Sequence, residues 1–252
     1  GMSYPQQPLP PKETLPTMYD LPSEYPEELG LPDEFHCFQP QLLRETCQPT
    51  THPQESVFVG TDLNVYYDVH HPGWHKRPEW CLVLGVEKAR QQSELRWSYV
   101  IWHEGGSPFL ALELLSPGTE AEVLGQTLSE VNQPPTKWQV YEQILRIPYY
   151  AIFDRSENQF RLYQIVGTRY QEITLSDSSY WFDEMGLGIG VWEGEYNGVE
   201  GKWLRWQDAD NNWIPTEIEQ AETAQQQAET AQQRAEKLAE KLKELGIDPE
   251  DI

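Results

Sequence analysis

The chain has 252 residues, enough for one large domain or two small ones, and its ten Trp and thirteen Tyr can fill a sizeable core. Its net charge of -23 argues against a protein that coats nucleic acid generally, because phosphate affinity comes largely from Lys and Arg. We find no apolar run of about 18 residues and no basic, apolar N-terminal segment, so we expect no membrane span, no secretory signal and a cytoplasmic location.

The negative charge is concentrated at the two ends of the chain. Residues 1–34 contain one Lys and seven acids, and residues 217–252 contain four basic and ten acidic residues. A local basic groove in the middle of the chain is therefore compatible with the composition. We expect DNA to bind there weakly and in a salt-sensitive manner when no divalent cation is present.

The N-terminal segment, residues 1–32, is rich in Pro and is predicted to be an extended arm. From Asp33 the sequence changes to a helical pattern, in which Asp33 caps the first turn. The apolar stripe of this helix consists of Phe35, Phe38, Leu42 and Leu43. We expect the internal Pro40 to split or kink the helix.

The middle of the chain alternates strand and helix patterns. The order strand, strand, strand, helix, strand predicts an α/β core with a mixed sheet. The predicted elements are strands at Ser56–Asp68, 80–86, Phe109–Leu115 and 149–155, and a helix at 137–146. Shorter aromatic strands continue to about Pro215 and predict a β extension of the same domain.

The C-terminal segment, residues 216–246, has a seven-residue repeat, and residues 247–252 form a short tail. The sequence QAETAQQ occurs twice in succession. The repeat predicts a coiled-coil helix that mediates self-association, and a solvated single helix is the alternative. Its two series of apolar positions are Ala221, Ala228, Ala235 and Leu242, and Ala224, Ala231, Leu238 and Leu245.

Two groups of residues that bind metals in other proteins are not predicted to do so here. The three cysteines include no CxxC pair, so we expect them to be reduced and structural. The histidines after Asp68 have no zinc-ligand spacing and are expected on a loop surface. These residues are Cys37, Cys47 and Cys81, and His70, His71 and His75. The sequence also contains no P-loop and no GxSxG motif.

One carboxylate lies within an apolar segment. Glu113 is the only charged residue in FLALELL, and burying an ionised carboxylate costs several kcal/mol unless it is paired, protonated or metal-bound. A structural ion pair with Arg161 or Lys137 is one explanation. A functional site is the other.

Two further residues support a functional site. Glu79 begins the preceding strand, where it and Glu113 could together hold Mg²⁺ or Mn²⁺. Lys137 shares a helix face with Tyr141 and Ile144, which turns its stem towards the sheet. There its ammonium group could orient the attacking water or stabilise charge on a phosphate.

Three segments, RPEWCLVLG, SYVIWHEGGSPFLALELLSPGTEAE and PPTKWQVYEQILRIPYYAIFDR, resemble in this order the Uma-two family of restriction-endonuclease-like nucleases, which are abundant in cyanobacteria. The resemblance covers roughly residues 33–215. It implies a PD-(D/E)XK fold of the α/β (α+β) class, with a mixed β-sheet flanked by helices. It also implies that the usual lysine has moved from the third strand to the following helix.

The same resemblance assigns Glu113 as the central acid and Lys137 as the migrated lysine, with Tyr141 at a position that is commonly Tyr. This chain has Glu79 where the family usually has Asp, and Leu115 where the usual lysine of the motif would lie. Asp62, in the first strand, is a weaker candidate ligand.

Two functions are therefore expected. The first is a Mg²⁺-dependent endonuclease that cleaves DNA through Glu79, Glu113 and Lys137, with Asp62 and Tyr141 in supporting roles. The second is a nuclease-fold protein with impaired catalysis that acts as a binding or assembly module through its C-terminal helix. The longer side chain of Glu79, which moves its oxygens by about 1 Å, favours the second.

Overall fold

The computed structural model describes residues 15–18, 20–21, 33–116, 118–125 and 133–252. Most of the predicted extended arm, residues 1–32, lies outside the described residues. Among the described residues, no helix is long and apolar enough to cross a membrane.

The first helix, α1, spans Glu34–Thr46 and is capped by Asp33, whose carboxylate accepts a 2.9 Å hydrogen bond from the His36 backbone N–H. The expectation that Pro40 splits this helix is wrong, because the helix continues through it. Pro removes one helical hydrogen bond, but packing compensates. The buried Gln39 donates to the Leu204 carbonyl and accepts from the Leu204 N–H, at 2.9 and 2.8 Å.

The remaining helices are short except for the last. They are α2 (Ile101–Glu104), α3 (Glu120–Leu124), α4 (Lys137–Gln139) and α5 (Glu217–Glu244), with a π turn at Val140–Ile144 and 3-10 turns at Gln54–Ser56, Gln92–Glu94 and Pro249–Asp251. The strands are β1 (Val57–Thr61), β2 (Val65–Tyr66), β3 (His75–Lys76), β4 (Trp80–Leu84), β5 (Tyr99–Val100), β6 (Leu110–Leu115), β7 (Tyr149–Asp154), β8 (Gln159–Val166), β9 (Arg169–Glu172), β10 (Ser179–Phe182), β11 (Leu187–Tyr196) and β12 (Val199–Gln207).

The central sheet has six strands in the order β1-β4-β6-β7-β8-β9. Only the β6–β7 pair in it is parallel, and the crossover between those strands contains α3 and α4. This is the mixed sheet that the sequence predicts. The single predicted strand Ser56–Asp68 is wrong, because the chain turns at Asp62 with a positive φ of 50° and the next strand joins a separate small sheet, β3-β2-β5.

The two faces of the central sheet are both covered. Leu112 and Leu114 on β6 pack into a core that includes Trp206 from the β10-β11-β12 sheet. Ala111 belongs to the opposite core, which includes Val140 and Tyr141 beyond α4. Because side chains alternate along a strand, Glu113 points to the second face, towards α4 and the π turn.

The last helix, α5, has no buried residue along its 28 positions. Thr216 caps its start, and the Thr216 hydroxyl accepts a hydrogen bond from the Glu219 backbone N–H in a capping box. Glu219 forms an ion pair with Arg205, which is buried in β12. The helix is therefore fixed at its start to the folded core, while its apolar seam is exposed.

Candidate functional site

Glu113 is a buried carboxylate with two protein donors. Its side chain is only 1% exposed. Lys137 Nζ lies 2.8 Å from its Oε2, and the Tyr141 hydroxyl donates a 3.0 Å hydrogen bond to its Oε1. The expected compensation of this buried charge is therefore present, and its partner is Lys137.

The start of α4 positions Lys137 and Tyr141. Thr136 and Gln139 form a capping box that fixes the first turn, and Tyr141 follows Lys137 by one helical turn. Ile144, which was expected on the same face, is 47% exposed instead. The π turn causes this difference, because its wider winding rotates Ile144 outward and brings Leu145 into the core.

Glu79 lies immediately before β4, at the end of the sheet where Glu113 lies. Its Oε2 accepts a short hydrogen bond from the Leu114 backbone N–H. Its Oε1 lies 2.8 Å from His36 Nε2, and its side chain is 18% exposed. The hydrogen bond to Leu114 places the Glu79 carboxylate beside β6, near enough to Glu113 for its charge to act on that carboxyl.

His36 links α1 to Glu79. The other ring nitrogen, Nδ1, lies 2.7 Å from the carboxylate of Asp33. Burial lowers the pKa of His36, but its hydrogen bonds and charge interactions with Asp33 and Glu79 outweigh burial and raise the pKa to about 11. The imidazole is therefore a cation at neutral pH, placed between two carboxylates.

The electrostatics of Glu113 reflect its burial. Burial raises the pKa of Glu113; Lys137 opposes this rise, and the charge of Glu79 adds to it. Burial lowers the pKa of Lys137, but the charges of Glu113 and Glu79 outweigh that effect and raise it. Because burial disfavours the ionised form of Glu113, positive charge close to its carboxylate favours that form.

A comparison with known proteins identifies the family of the chain. A family model named Uma2, described as putative restriction endonuclease, matches residues 33–193. The chain belongs to the Uma2 family. Among curated proteins, none matches it. The matched range includes α1, the whole central sheet and all the residues of the site described above.

In this Uma2 protein, Glu122 on α3 contacts Lys137 and was not predicted from the sequence. Its Oε1 accepts from Lys76 Nζ at 2.6 Å and from the Lys137 backbone N–H at 3.1 Å. A carboxylate at this place stabilises the start of α4, where backbone N–H groups are unpaired. The motif TEAE marks a helix start, but no sequence signal connects it to Lys137.

The contacts of Asp33 and His36 at the candidate site were also not predicted from the sequence. Asp33 was expected only as a helix cap, and it fills that role. The spacing of Asp33 and His36 by three residues places both on one side of the first turn. Their contact with Glu79 depends on how α1 packs on the sheet.

Two of the candidate residues lie apart from the Glu113 carboxylate. The Asp62 side chain is 52% exposed and pairs with Arg77 at 3.2 Å. Its contact with Glu79 is a hydrogen bond from the Asp62 backbone N–H to the Glu79 carbonyl oxygen. Arg161, named as a possible partner of Glu113, donates to Gln159 on its own strand. Neither side chain contributes a contact to Glu113.

The cysteines and the histidines after Asp68 are two further groups of metal-binding residue types. Cys47 and Cys81 are buried, Cys37 is exposed, and all three are free thiols. In the loop after β2, His71 pairs with Asp68 at 2.8 Å and stacks on Trp74.

The donor chemistry of Glu79 and Glu113 fits a magnesium-type cation. Across the described ranges, no group of three or more His, Cys, Asp or Glu side chains is close enough to hold a metal. Mg²⁺ commonly uses one or two carboxylates and keeps several waters, so it does not need such a group. Each carboxylate oxygen has two acceptor sites, so oxygens that already accept one hydrogen bond can also coordinate a metal.

Proposed function

We propose that the chain is an endonuclease that hydrolyses DNA phosphodiester bonds with Mg²⁺ or Mn²⁺. Glu79 and Glu113 would hold the cation, and Lys137 would act on the water and the phosphate. The observation that carries the proposal is the contact of one buried carboxylate, Glu113, with Lys137 and Tyr141 beside a second carboxylate. Membership of a nuclease family supports it.

A purely structural ion pair is the competing explanation for Glu113 and Lys137. A buried ion pair contributes little net stability compared with apolar residues of similar size, because desolvation offsets the attraction between the charges. The pair also lies beside another carboxylate, which raises the pKa of Glu113 further. Stability alone therefore gives a poor reason for this cluster, and a functional role explains it better.

The residues divide the chemistry among them. Lys137, whose side chain is 18% exposed, can reach a bound phosphate while it still contacts Glu113. Its ammonium group would orient the attacking water and stabilise the charge on the phosphoryl oxygens. Tyr141 fixes the rotation of the Glu113 carboxylate. A bound Mg²⁺ would supply charge neutralisation and a more acidic water.

The replacement of the family's usual Asp by Glu79 is accommodated by contacts on both sides. The Leu114 N–H holds one carboxylate oxygen, and His36 holds the other. A longer side chain fixed at both oxygens loses much of its rotational freedom, so the additional methylene need not make the ligand mobile. This supports an active enzyme over an impaired one.

The experiment is a cleavage assay with supercoiled and linear DNA and with Mg²⁺, Mn²⁺ or EDTA. We expect cleavage with either metal and none with EDTA. Glu113→Gln should lower the cleavage rate by more than about 100-fold, because it removes a charged metal ligand. The exposed Glu193→Gln is the matched control and should cleave like the wild type. Equal rates for Glu113→Gln and wild type would exclude the proposed site.

The exposed seam of α5 supports a second, compatible function in assembly. Leu238 is 60% exposed and Leu245 is 74% exposed, at positions seven residues apart. A sustained seam of this kind is typical of a coiled coil. We therefore propose that α5 binds α5 of a second copy of this chain, either to assemble the nuclease or as the protein's main activity.

A further inference from the structure

A groove follows the free edge of the central sheet. β1 is the outermost strand on this side, and a cavity of about 400 Å³ lies along it. The cavity, which we call the β1 groove, is lined by basic and apolar residues that include Arg44, Lys88, Arg96, Phe58, Leu63 and Leu95. Three of its described lining residues are basic and none is acidic, although the chain has 41 acids and 18 basic residues. The charge of the groove is thus opposite to that of the protein.

Two of the three described cations of the β1 groove, Arg44 and Lys88, are available to an anionic ligand. Within the described part of the chain, Arg44 and Lys88 form no ion pair with a carboxylate, whereas Arg96 pairs with Glu104 at 2.8 Å. Arg44 Nη2 donates to Thr61 Oγ1 at 3.0 Å and to the Val59 carbonyl at 3.2 Å. Its guanidinium is held in place while its other N–H groups remain available to a phosphate.

The same contact disfavours a polypeptide strand as the ligand. A free sheet edge can pair with an added strand through its outward carbonyl and N–H groups. Arg44 already occupies the outward carbonyl of Val59. Addition of a strand along β1 would have to displace this hydrogen bond.

Apolar and aromatic side chains accompany the cations. The Arg96 guanidinium lies 4.4 Å from the centre of the Phe58 ring inside the groove. Leu95, which lines the groove, is 60% exposed, and Trp97, which follows the lining residue Arg96 in the chain, is 98% exposed. Cations that follow a backbone, together with aromatic rings that stack on bases, are the features of single-stranded nucleic-acid binding.

One end of the β1 groove is connected to Glu79 through the backbone. Thr61 lines the groove at the end of β1, and the next residue, Asp62, donates its backbone N–H to the Glu79 carbonyl at 3.2 Å. We propose that the β1 groove binds the phosphate backbone of single-stranded DNA and leads the strand towards Glu79. This inference rests on the proposed nuclease function.

The test measures binding without cleavage. Fluorescence anisotropy of a labelled oligo-dT of about 16 nucleotides would be recorded in Mg²⁺ with Glu113→Gln as the parent protein, over a series of salt concentrations. Adding Lys88→Ala should reduce the slope of log affinity against log salt by about 0.7, the value for one lost phosphate contact with a single strand. Adding Trp97→Ala should weaken binding about tenfold. The control, Lys237→Ala on α5, should change neither quantity.

A duplex of the same length should bind more weakly, because paired bases cannot stack in the groove. The inference would be overturned if Lys88→Ala and Trp97→Ala both melt like the parent protein and neither changes the affinity for the oligonucleotide or its salt slope. Hydrogen exchange without DNA is a second test. If the β1 amides become more protected as the protein concentration rises, a polypeptide strand occupies the β1 edge, and the inference is overturned.

The two proposals can fail separately. Binding that depends on Lys88 in a protein that cleaves no DNA would keep the groove and reject the nuclease. If the wild type cleaves DNA but Lys88→Ala and Trp97→Ala do not change oligonucleotide binding, the nuclease proposal stands and the groove proposal is rejected.

Discussion

His36 Nε2 lies 2.8 Å from Glu79 Oε1, so a residue of the first helix contacts the carboxylate of the residue immediately before β4. Asp33 fixes the same imidazole from its other nitrogen at 2.7 Å. A carboxylate that orients a histidine, which in turn orients a ligand, is an arrangement often found behind metal sites. The start of α1 is thereby part of the site's support.

The charge of His36 predicts a pH-dependent stability. Its pKa is raised from 6.5 to about 11 in the folded protein. The stabilisation is therefore complete below about pH 6.5, where both folded and unfolded states are protonated, and decreases as pH rises towards 11. We expect His36→Ala to lower the free energy of unfolding by about 2 kcal/mol at pH 6, and by progressively less at higher pH.

Urea unfolding at several pH values measures this difference. His70→Ala is the control, since His70 is exposed and contacts Asp68 through its backbone N–H, which the substitution keeps. A difference between wild type and His36→Ala that stays constant from pH 6 to 10 would contradict a charged His36.

Glu113 predicts the opposite kind of pH dependence in the metal-free protein. Its pKa is raised by burial, so the folded state binds its proton more tightly than the unfolded state does. The stabilisation by that proton is present at low pH and is lost as pH rises through the raised pKa. Between about pH 5 and pH 8, wild type should therefore lose stability relative to Glu113→Gln.

Added metal should reverse this trend. Mg²⁺ at ten times its dissociation constant stabilises the binding protein by about 1.4 kcal/mol, and the amide variant should gain little. Melting temperatures with and without Mg²⁺ measure both effects. If the pH trend is absent and Mg²⁺ shifts neither protein, Glu113 belongs to a structural ion pair with Lys137.

The α5 seam predicts loss of self-association when the helix is removed. The deletion should begin at Gln220, because Glu219 is the ion-pair partner of the buried Arg205. We expect the mass measured by light scattering to fall to that of a monomer. Leu238→Glu should have the same effect, and Gln233→Glu, off the seam, should not. A monomeric full-length chain would reject the assembly proposal.

Much of the site was predictable because it depends on local patterns. Glu113 is conspicuous as the only charge in an apolar strand, and helical spacing places Lys137 and Tyr141 on one face. Ile144 was misplaced because a π turn, which has no clear sequence signal here, changes the winding. The break expected at Pro40 is absent because tertiary packing of Gln39 holds the helix.

The contacts of His36 and Glu122 were not predictable for another reason. Each joins residues that are far apart in sequence, His36 to Glu79 and Glu122 to Lys76. Such contacts depend on the angle at which a helix packs on the sheet. Local propensity and periodicity do not specify that angle.

The most direct test of the proposed nuclease site compares cleavage with metal affinity in Lys137→Ala. Lys137 donates to Glu113 and supplies no metal ligand, so the variant should lose DNA cleavage by more than about 100-fold. Calorimetric titration with Mn²⁺ should show that its affinity falls by less than about tenfold, whereas Glu113→Gln should lose both. Cleavage by Lys137→Ala at the wild-type rate, or loss of metal binding as large as the loss of cleavage, would contradict the proposed roles of Lys137 and Glu113.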